Sequence, residues 1–120
     1  MADRVLFISW DAAVRGREVR GLEVFNEAMG MLGRMQQEGR IESFDVAILT
    51  PNGDMNGFVV IHGSVEQIAA MRQDEEFLRS TADAMLIVDN LTHIEGYANE
   101  GVARQMAIYQ EAIDKVPQLT

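Results

Sequence analysis

The stretch AMLIVDNLTHIEGY, residues 84–97, decides how this chain is read. Taken as extended backbone, it splits by alternation into two rows. Leu86, Val88, Asn90, Thr92 and Ile94 form one; Met85, Ile87, Asp89, Leu91, His93 and Glu95 form the other. Successive side chains of a strand point to opposite faces, so the pattern predicts one long strand. Leu86 and Val88 then turn toward a helical layer. The other row interleaves large apolar side chains with titratable ones, which suits a lined cavity or a subunit contact.

Working backwards, Ser64 with Gln67 three residues on has the form of a capping box. Val65, Ile68, Ala69 and Met71 supply the apolar side of the helix it opens, and Asp74 caps a second short helix, DEEFLRSTAD. Before these, GFVVIHG (57–63) and IESFDVAILT (41–50) read as strands joined across the turn Pro51-Asn52-Gly53-Asp54, a hairpin with a loop of several residues. RVLFISW (4–10) is a further strand, rich in β-branched and aromatic residues.

Asp11 to Gly21 reads as a loop. From Leu22 to Gln37 the period turns helical, with Leu22, Phe25, Met29 and Leu32 as the stripe and Gly39 as the stop. At the other end, Asn99 to Val116 reads as a helix with Val102, Ala103, Met106, Tyr109 and Ile113 on its apolar side, closed by Pro117. The order is βαββαβ plus a terminal helix in one domain, 1–120. That is the split-βαβ or ferredoxin-like arrangement of the α+β class, an antiparallel sheet with helices on one face.

Each strand has one row that is apolar or nearly so: Leu6/Ile8/Trp10, Phe44/Val46/Ile48, Val59/Ile61 and Leu86/Val88. These rows are expected against the helices. The remaining rows place Ser9, Asp45, His62, Asp89 and His93 among Val5, Phe7, Ala47, Leu49, Phe58, Val60, Ile87 and Leu91 on the open face. So large an apolar surface is not left in water. The expected remedy is a homodimer in which two open faces meet about a two-fold axis.

With this layout, and in particular with HGSVEQIAAMRQDEEFLRSTADAMLIVDNLTHIEGY (62–97), the chain resembles the dimeric α/β-barrel superfamily. That group includes antibiotic-biosynthesis-type monooxygenases, stress-responsive barrel proteins, chlorite dismutase-like haem proteins and YciI-like proteins. The resemblance spans the whole chain but carries no catalytic motif. It implies sheets meeting in a dimer, with a pocket between sheet and helices or at the interface.

The candidate chemistry is sparse. His62, His93 and Asp45 are the candidate catalytic residues, because a carboxylate orients an imidazole and raises its basicity for proton abstraction. Equally, each histidine can be an interface residue satisfied by a carbonyl or water. Asp89 and His93 lie about 13 Å apart along one strand and do not pair with each other. Phe7, Ser9, Trp10, Phe58, Asp89 and Leu91 are candidate pocket residues, with Trp10 alternatively a core plug. No close histidine spacing suggests a metal, no glycine-rich strand-to-helix turn suggests a phosphate cradle, and nothing calls for a cofactor.

The totals narrow the partners. Ten basic against nineteen acidic residues give a net charge of −9, which disfavours nucleic acid. The small cluster Arg15, Arg17 and Arg20 has no stacking aromatics and reads as a solvated loop entering a helix. The absence of cysteine excludes disulfides, thiolate metal sites and cysteine nucleophiles. No apolar run is long enough to span a bilayer, and the first residues lack the layout of a secretion signal. The expectation is a cytoplasmic homodimer binding a small apolar or aromatic molecule. The alternatives are a cofactor-independent monooxygenase or isomerase-like enzyme with a histidine base, or an interaction module without a ligand.

Overall fold

The computed structural model describes residues 2–119. Strand β1 (Arg4–Trp10) is followed by helix α1 (Glu18–Gln37), strands β2 (Ser43–Ile48) and β3 (Gly57–Gly63), helices α2 (Val65–Gln73) and α3 (Glu75–Met85), strand β4 (Thr92–Tyr97) and helix α4 (Glu100–Asp114). The strands form one antiparallel sheet in the order β2-β3-β1-β4. This is the ferredoxin-like α+β fold expected from the element order.

The core lies between one face of the sheet and the helices. Leu6, Ile61, Met35 and Ile41 are its most deeply buried side chains, surrounded by Met31, Leu32, Val59, Ile68, Met71 and Phe77. Alternation in β1 and β3 falls as expected: Leu6 and Ile61 point into the core, with Ile8 and Trp10 packed against it. In β2, at the sheet edge, Phe44 packs on the core as expected, but Val46 and Ile48, expected there too, are exposed. The turns carry local instructions. Ser64 accepts from the Gln67 amide at 3.1 Å while the Gln67 side chain accepts from the Ser64 amide at 2.9 Å, completing the capping box. The Asp74 carboxylate accepts from the Phe77 amide at 3.2 Å and starts α3.

Helix α1 begins earlier than the expected Leu22 and is turned relative to the expected stripe. Gly21, Val24, Met31, Leu32 and Met35 are its buried residues, while Leu22 is exposed. Gly21 belongs to the helix, not to the preceding loop; its Cα faces Ile87, and a Cβ there would come 3.6 Å from Ile87 Cδ1.

The largest correction concerns 84–97. Ala84 and Met85 close α3, and only Thr92–Tyr97 is strand. Between them the backbone turns. Ile87 donates to the Ala84 carbonyl at 3.1 Å, and the segment then bonds to the loop after β1 through Val14 N–H to Ile87 O and Asp11 N–H to Asp89 O. Asn90, at φ 53°, leaves the extended region altogether. Alternation read from Leu86 and Val88 therefore does not continue into β4. Ile8 faces His93 and Leu6 faces Glu95 across the β1–β4 ladder, so His93 and Glu95 lie on the helix side. Thr92 and Ile94 lie on the open side with Ser9 and Phe7. Leu86, expected against the helices, is exposed, and Ile87 is buried instead.

Helix α4 also differs from expectation. It is rooted firmly, but Val102, Met106 and Tyr109 of its expected packing stripe are exposed. At its root Gly101 is buried against the Asp3 carbonyl, where any Cβ would collide, and Arg104 pairs with Asp3 at 2.6 Å. The fold measures 56 × 37 × 22 Å along its principal axes.

Candidate functional site

Between the sheet and helices α1 and α3 there is a cavity of about 370 Å³. Its floor is the helix-side row of the sheet: Ile8 and Trp10 from β1, Val59 and Ile61 from β3, His93 from β4. One wall is α1, through Leu22, Phe25 and Met29; another is α3, through Phe77, Ser80, Thr81 and Ala84. Leu91 closes the side beside β4. Small-molecule sites commonly have this character, an apolar concavity with a few polar groups that fix orientation.

Trp10 is held in place by glycine. A Cβ at Gly57 would stand 2.8 Å from Trp10 Cζ2 and 2.9 Å from the Ala47 carbonyl oxygen, so only glycine admits the indole this close to β3. The indole in turn meets Phe25 edge-on, at 6.1 Å between centroids.

His93 is the titratable side chain on the cavity floor. Its ring lies 5.7 Å from that of Phe77. Burial lowers its pKa below 6.5, and the nearby positive charge of Arg72 lowers it further. Arg72 is itself engaged with Glu95 at 2.9 Å. A neutral imidazole on an apolar floor can accept a proton from a ligand or a hydrogen bond from its hydroxyl.

The residues singled out from sequence divide between two surfaces. Trp10, Leu91 and His93 come together in the cavity. Phe7, Ser9, Phe58, His62 and Asp45 belong to the alternate rows of their strands, on the open face. There Phe7 and Phe58 rings stand 5.4 Å apart. His62 Nε2 lies 3.3 Å from an Asp45 carboxylate oxygen, one step diagonal across the β2–β3 ladder, which pairs His62 with Ser43 and Asp45 with Val60. The His–Asp juxtaposition thus exists, but His93 does not share its face. Asp89 lies at the turn with its side chain exposed and is not among the cavity walls.

Sequence reasoning missed the α3 wall. Phe77, Ser80, Thr81 and Ala84 follow the i, i+3, i+4, i+7 spacing that marks one face of a helix. Two hydroxyls on that otherwise apolar face are the signal that it lines a cavity rather than a closed core. Among the described residues, no group of three or more His, Cys, Asp or Glu is arranged to hold a metal ion. No helix among them is long and apolar enough to cross a membrane.

No protein-family model matches this chain, and no curated protein sequence does. Solved structures do. A dimeric protein of unknown function with a ferredoxin-like fold from Bacteroides fragilis NCTC 9343 superposes with a TM-score of 0.59 at 10% identity, over 79% of this chain and 96% of its own. A putative antibiotic biosynthesis monooxygenase from Chloroflexus aurantiacus J-10-fl gives 0.55 at 15% identity, over 80% and 93%. SnoaB, a cofactor-independent oxygenase from Streptomyces nogalater, gives 0.54 at 17% identity, over 82% and 95%. What this chain shares with all three is the ferredoxin-like fold, as the order of its elements implied.

Proposed function

We propose that this protein is a homodimer that binds a small, flat, largely apolar molecule between its sheet and helices. The observation that carries the reading is the cavity of about 370 Å³, lined mostly by apolar side chains, with Glu18, Ser80 and Thr81 among them and His93 on its floor. Dimerisation is supported separately by the open face, where Val5, Phe7, Phe58 and Val60 are only half-buried and Ile94 is exposed. The description of the Bacteroides fragilis protein as dimeric supports it as well. On this reading His62 and Asp45 meet the partner's sheet, away from the bound molecule.

Trp10 is the only tryptophan and lines the cavity, so its fluorescence reports occupancy directly. Titration with 2-hydroxy-1,4-naphthoquinone is expected to quench it saturably at one molecule per chain. Linear quenching like that of free tryptophan would overturn the binding reading. A sedimentation mass of a single chain would overturn the dimer.

A second reading has one specific observation in its favour, the neutral imidazole facing the cavity. A neutral His93 can remove a proton from an activated carbon acid, leaving an enolate over apolar walls. Exchange of the C–H of 2-tetralone with solvent deuterium, followed by NMR, tests this. The enzymatic reading expects acceleration that rises as His93 loses its proton and disappears in His93→Gln. Exchange equal to the buffer rate leaves binding alone.

A further inference from the structure

The few polar side chains of the cavity differ in charge. Ser80, Thr81 and Asn56 line it and are neutral, so they can serve a ligand of either sign. His93 on the floor is kept uncharged at neutral pH by burial and then by the nearby charge of Arg72. Among the described residues no lysine or arginine lines the cavity, whereas Glu18 does. The lining therefore carries one formal charge, and it is negative.

That carboxylate is free to act on a ligand. Of the three carboxylates of α1, Glu23 and Glu27 are paired with Arg20 at 3.7 and 3.0 Å, while Glu18 has no cation partner among the described residues. Its Oε1 accepts from the Gly16 amide at 2.8 Å, which leaves Oε2 open. Glu18 begins α1 and is exposed, so the charge stands at the mouth of the cavity. A charged group bound there keeps part of its water while the rest of the ligand is buried, which avoids most of the cost of desolvating an ion. The two segments beside the mouth, the loop after β1 and the turn before β4, carry Asp11 and Asp89 against Arg15 and Arg17. Those charges offset one another in number, and the Arg17 guanidinium is bonded to the Leu86 carbonyl at 2.5 Å. The dipole of α1 contributes about half a positive charge at its start, which reduces the charge of Glu18 without reversing it. The chain as a whole, at −9, draws cations toward its surface.

We infer that Glu18 sets the charge of the ligand: the cavity takes an aromatic amine, its ring among the apolar side chains and its ammonium on Glu18, in preference to the matching acid. Trp10, Phe25 and Phe77 line the same space, and aromatic side chains are favourable neighbours for an ammonium. The inference rests on the binding reading above and names the class of molecule that fills the cavity.

Isothermal titration calorimetry of the full chain, at pH 7.5 and low ionic strength, tests it with three naphthalenes of similar shape. These are 1-naphthylmethylamine, 1-naphthalenemethanol and 1-naphthoate. The amine is expected to bind most tightly and the acid most weakly. Glu18→Gln keeps an oxygen for the Gly16 amide and removes only the charge. It should weaken the amine about three- to fivefold, tighten the acid and leave the alcohol unchanged. Glu23→Gln makes the same change of charge away from the cavity lining and should alter none of the three.

An amine-to-acid ratio equal in the native chain and in Glu18→Gln would overturn the inference, while binding of the alcohol would leave the cavity standing. Loss of the alcohol as well in Glu18→Gln would make Glu18 a brace for the loop and not a reader of charge. Equal shifts in Glu23→Gln would reduce the preference to total charge. Failure of the amine to bind a chain whose Trp10 is still quenched saturably by the naphthoquinone would remove the charge selection alone. Failure of all three naphthalenes, with linear quenching by the naphthoquinone, would remove the binding reading itself.

Discussion

The imidazole of His93 and the phenyl ring of Phe77 stand 5.7 Å apart, at 42° to one another. This contact joins the last strand to the helix before it and places the titratable group of the cavity floor beneath a phenyl ring.

A pH dependence follows from it. Burial depresses the His93 pKa below 6.5, so between the two values the unfolded chain holds a proton that the folded chain does not. Stability is therefore greatest above pH 6.5, falls as the pH drops from there toward the folded pKa, and levels off below it. Denaturant midpoints at pH 7.5 and 5.5 are expected to differ more for the native chain than for His93→Gln. Equal differences would show that His93 is not desolvated. Asp3 and Asp74, whose pKa values are also lowered, act only near and below 3.8, outside this window.

Phe77→Ala should remove both the roof and part of the core. Such truncations cost about 3–5 kcal/mol, scaling with the space left behind. The expected result is a marked fall in Tm with the far-UV spectrum retained at low temperature. A cost under about 1 kcal/mol would place Phe77 outside the close-packed core.

Gly57→Ala tests the seat of Trp10. The added methyl would stand 2.8 Å from the indole, so the ring must move. A destabilisation of about 1–3 kcal/mol is expected, as for other overpacked sites, with a red shift of Trp10 emission. An unchanged spectrum would mean that the ring does not rest on Gly57.

Ser64→Ala removes one half of the capping box and leaves the Gln67 amide without its acceptor. The loss should be about 1 kcal/mol. Gln67 also donates to the Gly39 carbonyl at 3.0 Å, tying the start of α2 to the turn after α1. Gln67→Ala is therefore expected to cost more than Ser64→Ala in a urea titration.

The two histidines should separate by phenotype. His62→Ala is expected to leave naphthoquinone binding unchanged and to alter the sedimentation equilibrium. His93→Leu is expected to alter binding and leave association unchanged. The reverse pattern would exchange the roles of the two faces.

The sequence made the architecture legible because most of its boundaries are local. The capping box at Ser64, the turn at Pro51–Asp54 and the alternation in β1 and β3 each hold without help from distant residues. Residues 84–97 misled for the complementary reason. An apolar run of that length suits a strand or a helix end equally, and what settles it is tertiary: hydrogen bonds from residues 87–89 to the loop at 11–14. Because residues 86–91 are not strand, the phase of β4 is set by its ladder with β1 alone, and that ladder places His93 on the helix side. The pairing of His62 with Asp45 depended on the hairpin register, which the turn residues do not specify alone.

Strand β1 carries a consequence of its own. Ile8 and Trp10 look into the cavity while Phe7 and Ser9 look the other way, and both flanking ladders fix that phase. Loss or gain of one amino acid within this segment would trade the two sets wholesale, emptying the indole from one compartment and thrusting it into the opposite one. Over time this strand can therefore exchange side chains freely, but its length is frozen.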